Sequence, residues 1–516
     1  MNRMDPDLLI RGRRVLTMDP SAPLAESVAV KDDRIVWVGA DAEAAAITSK
    51  RTRMLDYDDC VVLPGFHDAH FHLLAYATSL GAVDCRPRAV SSIPELGAAI
   101  SKRATVTPAG HWVRGTGYDD VYLHERRHPT RWDLDAAAPD HPVRIDHRSG
   151  HASVLNSRAM VAVGLRFDTP EPPSATIERS LESGEPNGVL FEMHDFLDDR
   201  LPRPSKSELT DSVWQASGIL ASKGITAIQD ATASNSTDRW DAFRSFKAAG
   251  ALRQRATVMP GVHRLSSFTD RGLHYGSGDD ALAIGAAKTM LTMSSGRLSP
   301  DVETLRELVV DAQSQGFQVA IHAVEAEAVA AAAAAISAAN TSKGSPELRH
   351  RIEHCSELPP DVLAAVVASG AVCVVQPGFV FESGDRYLAQ ADPEMLSSLY
   401  RVASLARAGA HVAFGSDSPV ADPDPLLGVY GAVTRLSLQG AEVGLHEAVS
   451  VADALRFAIT GSAYTAQREA ELGMLAPGML ADMVVLDQDP LEVASEDIRR
   501  IRPEATIIGG QVVWES

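Results

Sequence analysis

The sequence is short of cysteine and has no long apolar run. Its four cysteines form no CxxC pair in 516 residues, so the chain is not a disulfide scaffold: Cys60, Cys85, Cys355 and Cys373. No stretch approaches about 18 uncharged apolar residues, and we therefore expect no membrane span. The first residues, MNRMDPDLLIRGRRVL, carry charges of both signs where a signal peptide would need an apolar run. These features predict a cytoplasmic protein.

Basic residues are also in deficit. The chain has 48 Lys and Arg against 68 Asp and Glu, which gives a formal net charge of -20. Nucleic-acid phosphates call for a basic surface, so we expect no nucleic-acid partner. Hydrophobic residues make up 45% of the chain, which is enough for a large buried core.

The hydrophobic pattern changes along the chain. Short alternating segments typical of β-strands occupy the first 60 and the last 40 residues. Between them, apolar runs alternate with helical stretches, which predicts βα units around a parallel sheet. Eight runs are strand candidates: 61–66, 225–231, 253–260, 283–291, 317–324, 349–355, 371–378 and 411–418. Eight such units predict an α/β fold of the (β/α)8, TIM-like barrel type.

Nearly 160 residues separate the first candidate strand from the second, which is too long for one loop. We therefore expect a large inserted subdomain after barrel strand 1, over 85–215. The barrel itself would comprise 64–84 together with 216–475. The two ends of the chain, 1–63 and 476–516, form the remaining part.

Histidines follow the first candidate strand in the segment PGFHDAHFHL, where His70 and His72 are two residues apart. Side chains at this spacing on a strand point to one side, and neutral imidazole is a common metal ligand. By itself the pair could be polar surface residues. Other ionisable residues lie in or at the ends of four further apolar strands, however: Lys288, His322, His354 and Asp417. Barrel enzymes build their sites at the carboxyl ends of the strands, so we expect these six residues to form a metal site.

Lys288 lies inside the apolar segment AIGAAKTML and has more than one interpretation. Burial could lower the pKa of its amine until it acts as a neutral base. The amine could instead react with carbon dioxide to give a carbamate, whose oxygens can bridge two metals. A third possibility is a lysine whose ammonium extends past the rim to solvent.

Several motifs, taken together, resemble one family. PGFHDAHFH, the strand lysine, IHAV, RIEHC and FGSDSP resemble the amidohydrolase superfamily in both order and spacing. A second set of segments resembles amidohydrolase family 3, a group that includes N-substituted formamide deformylases: GHASVLNSRAM, GEPNGVLFE, GITAIQDA, VVQPG, GSDSPVADPDPLLG and the tail LGMLAPGMLADMVVLDQDPL. The resemblance covers nearly the whole chain.

The resemblance implies a binuclear site with two zinc ions, although other divalent metals fit the same ligands. His70, His72 and Asp417 would bind one metal, His322 and His354 the second, and Lys288, as its carbamate, would bridge them. Asp417 would also transfer protons during hydrolysis of a C–N bond in a small molecule. The two chain ends would pair into a small β-sandwich, and the protein would be a homo-oligomer, as a dimer.

Three residues of the insert are candidates for substrate contact: Tyr118, His151 and Glu192. Glu192 could alternatively replace the lysine as the bridging ligand, and it lies where we expect a helix to begin. His67 and His194 are predicted to be structural. Two other functions remain open from the sequence: ester, lactone or decarboxylase chemistry on the same fold, and a non-catalytic metal-binding scaffold.

Overall fold

The computed structural model describes residues 5–171, 175–193, 196–197, 200–201, 205–293, 296–341 and 348–516, so His194 lies outside the described residues. The chain divides into two compact units, Met1–Leu73 with Trp214–Ser516, and Leu74–Val213. The strands, in chain order, are β1 (Leu8–Leu16), β2 (Leu24–Lys31), β3 (Arg34–Gly39), β4 (Arg53–Pro64), β5 (Phe66–Phe71), β6 (Val83–Asp84), β7 (Val113–Tyr118), β8 (Val143–His147), β9 (Ala152–Leu155), β10 (Thr176–Arg179), β11 (Pro186–Phe191), β12 (Ile225–Asp230), β13 (Arg255–Val258), β14 (Leu282–Ile284), β15 (Ala287–Met290), β16 (Val319–Ala323), β17 (Arg351–His354), β18 (Val372–Val375), β19 (Val412–Phe414), β20 (Met483–Leu486), β21 (Pro503–Ile508) and β22 (Gln511–Glu515).

Helices of very different length connect these strands. The α-helices are Asp41–Ala44, Leu73–Ser79, Ile93–Ala104, Arg131–Ala137, Ser157–Ala162, Lys206–Ser222, Thr237–Ala248, Leu265–Thr269, Val302–Ser314, Ala326–Thr341, Pro360–Ser369, Gly378–Gln390, Pro393–Leu396, Val402–Arg407, Pro425–Thr434, Val451–Arg456 and Ser462–Thr465. Short 3-10 helices occupy Val262–Arg264, Leu445–Glu447 and Ser495–Arg500, and Phe457–Gly461 is π-helical. Among the residues described, no helix is both long and apolar enough to cross a membrane.

The two ends of the chain share one sheet, in the order β22-β21-β20-β4-β1-β2-β3. β4 is the link, because it pairs in parallel with β1 from the N-terminal segment and antiparallel with β20 from the C-terminal segment. Buried aliphatic residues from both ends pack together in its core, among them Ile10, Val62 and Val485. The pairing is one continuous sheet, and a two-layer β-sandwich stays a prediction.

The strands of the predicted barrel form two parallel sheets, β14-β13-β12-β5 and β15-β16-β17-β18-β19. The α/β class is therefore confirmed. The expected closed ladder of eight strands is not, because in the described part of the chain the strand pairing stops between β14 and β15 and between β5 and β19. Isolated backbone hydrogen bonds lie near both breaks. Lys288 N–H donates to the carbonyl of Pro260, just after β13, at 2.7 Å. Between the ends of β5 and β19, Asp417 N–H donates to the His70 carbonyl at 2.8 Å and His72 N–H to the Ser418 carbonyl at 3.1 Å.

Two strand boundaries differ from those predicted. The apolar run 61–66 belongs mostly to β4, in the terminal sheet, and the strand that carries His70 is β5. The run 283–291 is two strands, since β14 pairs with β13 whereas β15 pairs with β16. The chain changes partner at Gly285, whose N–H still bonds to Val258, so one predicted strand becomes two.

The second unit has its own sheet, in the order β10-β11-β9-β8-β7-β6. The pairs β6–β7 and β7–β8 are parallel, and the pairs formed by β9 with β8 and with β11 are antiparallel. Fully buried side chains such as Leu96, Ile145 and Val189 form its core. Glu192, expected at the start of a helix, instead follows directly after β11.

Candidate metal centre

Three of the predicted ligands lie at the ends of β5 and β19. His70 is in β5, His72 follows it, and Asp417 lies three residues beyond β19. One donor atom from each of these residues lies within 4.8 Å of the others. Oδ1 of Asp417 is 3.0 Å from Nε2 of His72 and 3.4 Å from Nε2 of His70. The structure therefore brings together the three residues predicted to share one metal.

His322 and His354 extend this group from β16 and β17. Nε2 of His354 lies 2.8 Å from Nδ1 of His322, and the two ring centroids are 4.4 Å apart. The ring of His354 is also 4.9 Å from that of His70. Four imidazoles and one carboxylate from β5, β16, β17 and the loop after β19 thus form a single cluster.

Lys288, in β15, is almost completely buried at 1% exposure. Its Nζ has no hydrogen-bond partner among the described residues. Burial lowers the pKa of its amine from 10.5 to about 8, against the opposing charges of Glu353 and Asp417. The burial of Lys288 excludes the alternative in which its ammonium extends to solvent.

Three of the imidazoles, His70, His322 and His354, have pKa values that favour the neutral form, which metal ligation requires. Burial lowers the pKa of His70 to about 3, and the charge of Lys288 adds to this effect. Burial likewise lowers the pKa values of His322 and His354. Asp417 behaves oppositely: burial would raise its pKa, but the hydrogen bond from His72 and the nearby imidazole of His70 keep that pKa below its usual range. The donor set is therefore several neutral nitrogens and one carboxylate anion.

Three of the rings are anchored through Nδ1. Nδ1 of His70 lies 2.5 Å from Oε2 of Glu353, Nδ1 of His72 lies 3.0 Å from Oγ1 of Thr232, and Nδ1 of His354 lies 2.9 Å from Oε1 of Gln376. Each anchored ring presents Nε2 to the cluster, since the other ring nitrogen is occupied. Such partners fix the orientation of metal-binding histidines.

Sequence reasoning did not identify Glu353, Thr232 or Gln376. For Glu353 a signal was present in the segment RHRIEHC, where charged residues interrupt an apolar strand at alternate positions. A buried charge in such a strand needs a partner, so Glu353 deserved the same weight as the neighbouring His354. Gln376 lies in VVQPG, one of the segments that resemble the family, but nothing in the segment indicates a contact with His354. No comparable signal points to Thr232, because polar residues at strand ends are common.

Asp68, in β5, connects the segment that carries His70 and His72 to the loop that carries Asp417. Its Oδ1 accepts hydrogen bonds from the backbone N–H groups of His70 and Ser416, each at 3.0 Å, and Oδ2 accepts from the Ser416 hydroxyl at 2.5 Å. The backbones approach closely here, since a Cβ on Gly415 would lie 2.7 Å from both N and Cβ of His70. Only glycine fits this contact, which sets the distance between His70 and Asp417.

The three candidates for substrate contact lie in the second unit. Tyr118 is fully buried and its hydroxyl is 3.0 Å from Nδ1 of His128. His151 is exposed, and its Nδ1 is 2.8 Å from Oε1 of Glu192. Glu192 therefore has a local partner within its own unit, and its bridging role and all three substrate contacts stay predictions. His67 is buried against Gln229, with Nε2 3.1 Å from the amide nitrogen.

The chain is similar to known proteins over most of its length. The family model described as "Amidohydrolase family" matches residues 53–514. The chain is 28% identical to the N-substituted formamide deformylase of Arthrobacter pascens, covering 99% of this chain and 98% of the relative. It is 27% identical to the protein LONG AFTER FAR-RED 3 of Arabidopsis thaliana, covering 98% and 91%. An uncharacterized metal-dependent hydrolase from Pyrococcus horikoshii OT3 has a similar fold, with a TM-score of 0.75, 23% identity and coverage of 95% and 99%. The match over residues 53–514 shows that this chain belongs to the amidohydrolase family.

Proposed function

We propose that this protein hydrolyses a C–N bond of a small molecule, an amide, N-formyl amine or related compound, with the help of divalent metal. The observation that carries the proposal is that two electron-pair donors face each other in the buried cluster. Glu353 accepts a hydrogen bond from Nδ1–H of His70, so Nε2 of that ring presents its lone pair, 3.4 Å from a carboxylate oxygen of Asp417. Two such donors repel each other unless a cation lies between them. The name of the formamide deformylase relative supports C–N chemistry.

The residues present fit two zinc ions. His70, His72 and Asp417 would hold one, and His322 and His354 would hold the other. Zinc prefers neutral imidazole and carboxylate oxygen, which this cluster supplies. The buried amine of Lys288 has no hydrogen-bond partner among the described residues. In its neutral form it would attack carbon dioxide, forming an N–C bond and releasing a proton to solvent, and the oxygens of the resulting carbamate would be available to both ions. This conversion would remove an unpaired cation from a site that attracts metal cations.

The proposed reaction divides between the metal and Asp417. Bound metal supplies an activated water and polarises the carbonyl oxygen of the substrate. Asp417 accepts the proton from the attacking water, for which its lowered pKa keeps it ionised. Asp417 then donates this proton to the leaving nitrogen, which departs as a neutral amine. Burial of the surrounding side chains strengthens each of these charge interactions.

Tyr118, His151 and Glu192 of the second unit are proposed to contact the substrate, and the protein is proposed to act as a homodimer. Support for His151 and Glu192 comes from GHASVLNSRAM and GEPNGVLFE, the segments that contain them and resemble the family. Substitution of each by alanine should raise KM more than it lowers kcat if the residue binds substrate. Light scattering on the purified protein tests the dimer, and a mass near 55.1 kDa would refute it.

The central experiment combines metal analysis with a substrate panel. We expect the purified protein to contain zinc or a similar divalent metal and to act on amides or N-formyl amines in preference to esters. Release of carbon dioxide from carboxylic acids, with no action on amides, would refute the C–N assignment. Metal binding without activity on any member of the panel would favour a non-catalytic scaffold.

A matched pair of variants tests the location of the metal. His72→Asn removes one proposed ligand, whereas His446→Asn makes the same change at an exposed histidine in the 3-10 helix Leu445–Glu447. We expect metal to be lost from the first variant and retained in the second. Equal metal content in both would place the metal elsewhere.

A further inference from the structure

Glu353 contacts the cluster from outside the predicted ligand set. It lies in β17, immediately before His354, and its side chain is completely buried. Its Oε2 accepts a hydrogen bond from Nδ1 of His70 at 2.5 Å. The proposed function uses this contact as an observation, but neither the sequence motifs nor the proposed reaction steps say what the carboxylate does for His70.

A second buried residue holds Glu353 in place. Arg351 donates from Nε to Oε1 of Glu353 at 2.5 Å and from Nη2 to Oε2 at 3.0 Å. The other guanidinium contacts, to Oε1 of Gln229 at 2.5 Å and the Ala69 carbonyl at 2.7 Å, fix Arg351 itself. This two-point contact leaves the Glu353 carboxylate no freedom to rotate away from His70.

Glu353 is a carboxylate anion in this environment. The Arg351 guanidinium is a permanent cation, and its two-point contact with both carboxylate oxygens is the geometry of an ion pair. An ionised carboxylate can only accept hydrogen bonds, so Nδ1 of His70 must carry the proton. Nε2 of His70 then carries a lone pair, which faces Asp417.

We propose that Glu353 is a positioning residue that fixes His70 in its Nδ1–H tautomer and aims Nε2 at the metal shared with Asp417. The inference rests on the proposed metal-dependent function. It also assigns a distinct role to His70 among the ligands, because the anchors of His72 and His354 are the uncharged residues Thr232 and Gln376. A charged partner increases the electron density on the ring, so His70 should be the strongest nitrogen ligand of the group.

Zn²⁺ binding by Glu353→Gln tests this proposal. The substitution keeps the shape of the side chain but replaces one oxygen with an NH2 group. That group must face either the donors of Arg351 or Nδ1 of His70, which in the second case reverses the tautomer. We expect Zn²⁺ affinity, measured by competition with a chromogenic chelator, to fall about 10- to 100-fold. Unchanged affinity would overturn the inference.

Asp482→Asn is the matched control. Asp482 is also a buried carboxylate held at two points by an arginine, with Arg255 Nε at 2.7 Å and Nη2 at 3.0 Å, but it contacts no proposed ligand. Loss of a buried partner should lower the stability of both variants, whereas only Glu353→Gln should lose Zn²⁺ affinity. An equal loss of affinity in the control would mean that any damaged buried pair weakens binding, and would overturn the role assigned to Glu353.

A measurement on the wild-type protein covers the case in which Glu353→Gln does not fold. A structure of the Zn²⁺-loaded wild type should show His70 bound through Nε2, with Nδ1 still on Glu353. Binding through Nδ1, or direct binding of Glu353 to the metal, would overturn the inference. Wild-type protein that binds no Zn²⁺ would refute the proposed function together with this inference, whereas normal Zn²⁺ binding by both wild type and Glu353→Gln would refute the inference alone.

Discussion

Replacing Lys288 with methionine should make the metal-free protein more stable while removing its ability to bind the full complement of metal. Methionine has the same unbranched length to within one atom and can occupy the buried path of the lysine side chain. The amine that it removes is buried and lacks a hydrogen-bond partner among the described residues. In metal-free protein at neutral pH this group is an unpaired buried cation, which opposes folding.

The size of the effect follows from the pKa of Lys288. Its fall from 10.5 to about 8 corresponds to a penalty of roughly 3 kcal/mol for burying the protonated amine at pH 7. The penalty is complete below the folded-state pKa. It disappears as the pH rises from about 8 to 10.5, because the unfolded chain then also loses its proton. The free energy of unfolding of metal-free Lys288→Met should therefore exceed that of wild type by up to roughly 3 kcal/mol at pH 7, and by progressively less at higher pH.

Urea unfolding of chelator-treated proteins, followed by circular dichroism at neutral and alkaline pH, measures this difference. Lys223→Met is the control, because the Lys223 ammonium is 2.7 Å from a carboxylate oxygen of Asp424 and its loss should bring no gain. A Lys288→Met variant less stable than wild type at pH 7 would refute the reasoning. So would a gain that stays constant as the pH rises.

Three further outcomes follow from the same site and its surroundings. Lys288→Ala should lose most metal and activity, with partial return in a short carboxylic acid but none in bicarbonate, and full activity in that variant would contradict a bridging carbamate. Asp417→Asn should lower kcat by about 100-fold or more in steady-state assays, since the proton acceptor is gone, and an unchanged kcat would contradict that role. His350 is buried, accepts from Val319 N–H, and has its pKa lowered by burial to about 4. The neutral His350 ring should therefore contribute roughly 3 kcal/mol to the free energy of unfolding above pH 6.5. This contribution should be lost as the pH falls toward 4. Between these pH values, the free energy of unfolding measured in urea should fall less for His350→Gln than for wild type. An equal fall in the two proteins would refute the role assigned to His350.

The gathering of the candidate ligands could be predicted because parallel strands end at a common edge. His70, His322 and His354 each lie at or near the carboxyl end of an apolar strand, so a local pattern indicated a position in space. The backbone pairing that places these strands was less accessible. An apolar run such as 283–291 does not reveal that the chain changes partner at Gly285, because both halves are equally apolar and periodicity is weak in buried strands.

The anchors of the imidazoles could not be predicted for a different reason. Thr232 lies just after β12 and Gln376 just after β18. They are 160 and 22 residues away in sequence from the rings that they contact. Their roles depend on side-chain direction within a few tenths of an ångström, which single-sequence patterns do not encode. The surroundings of Tyr118 were hidden in the same way, since its hydroxyl partner, His128, lies in a loop whose course has no periodic signal.

The energetic costs in this protein are concentrated at the cluster. Two of the proposed ligands, His354 and Asp417, have a left-handed backbone with φ of 74° and 58° although neither is glycine. This conformation costs a residue with a side chain roughly 1–3 kcal/mol. Glycine would relieve this strain at either position but would remove a proposed ligand. The unpaired Lys288 amine adds its own penalty, and the Arg351–Glu353 pair needs full desolvation of two charges. A core selected for stability alone would contain none of these features, and their coincidence around four imidazoles is what selection for metal binding would produce.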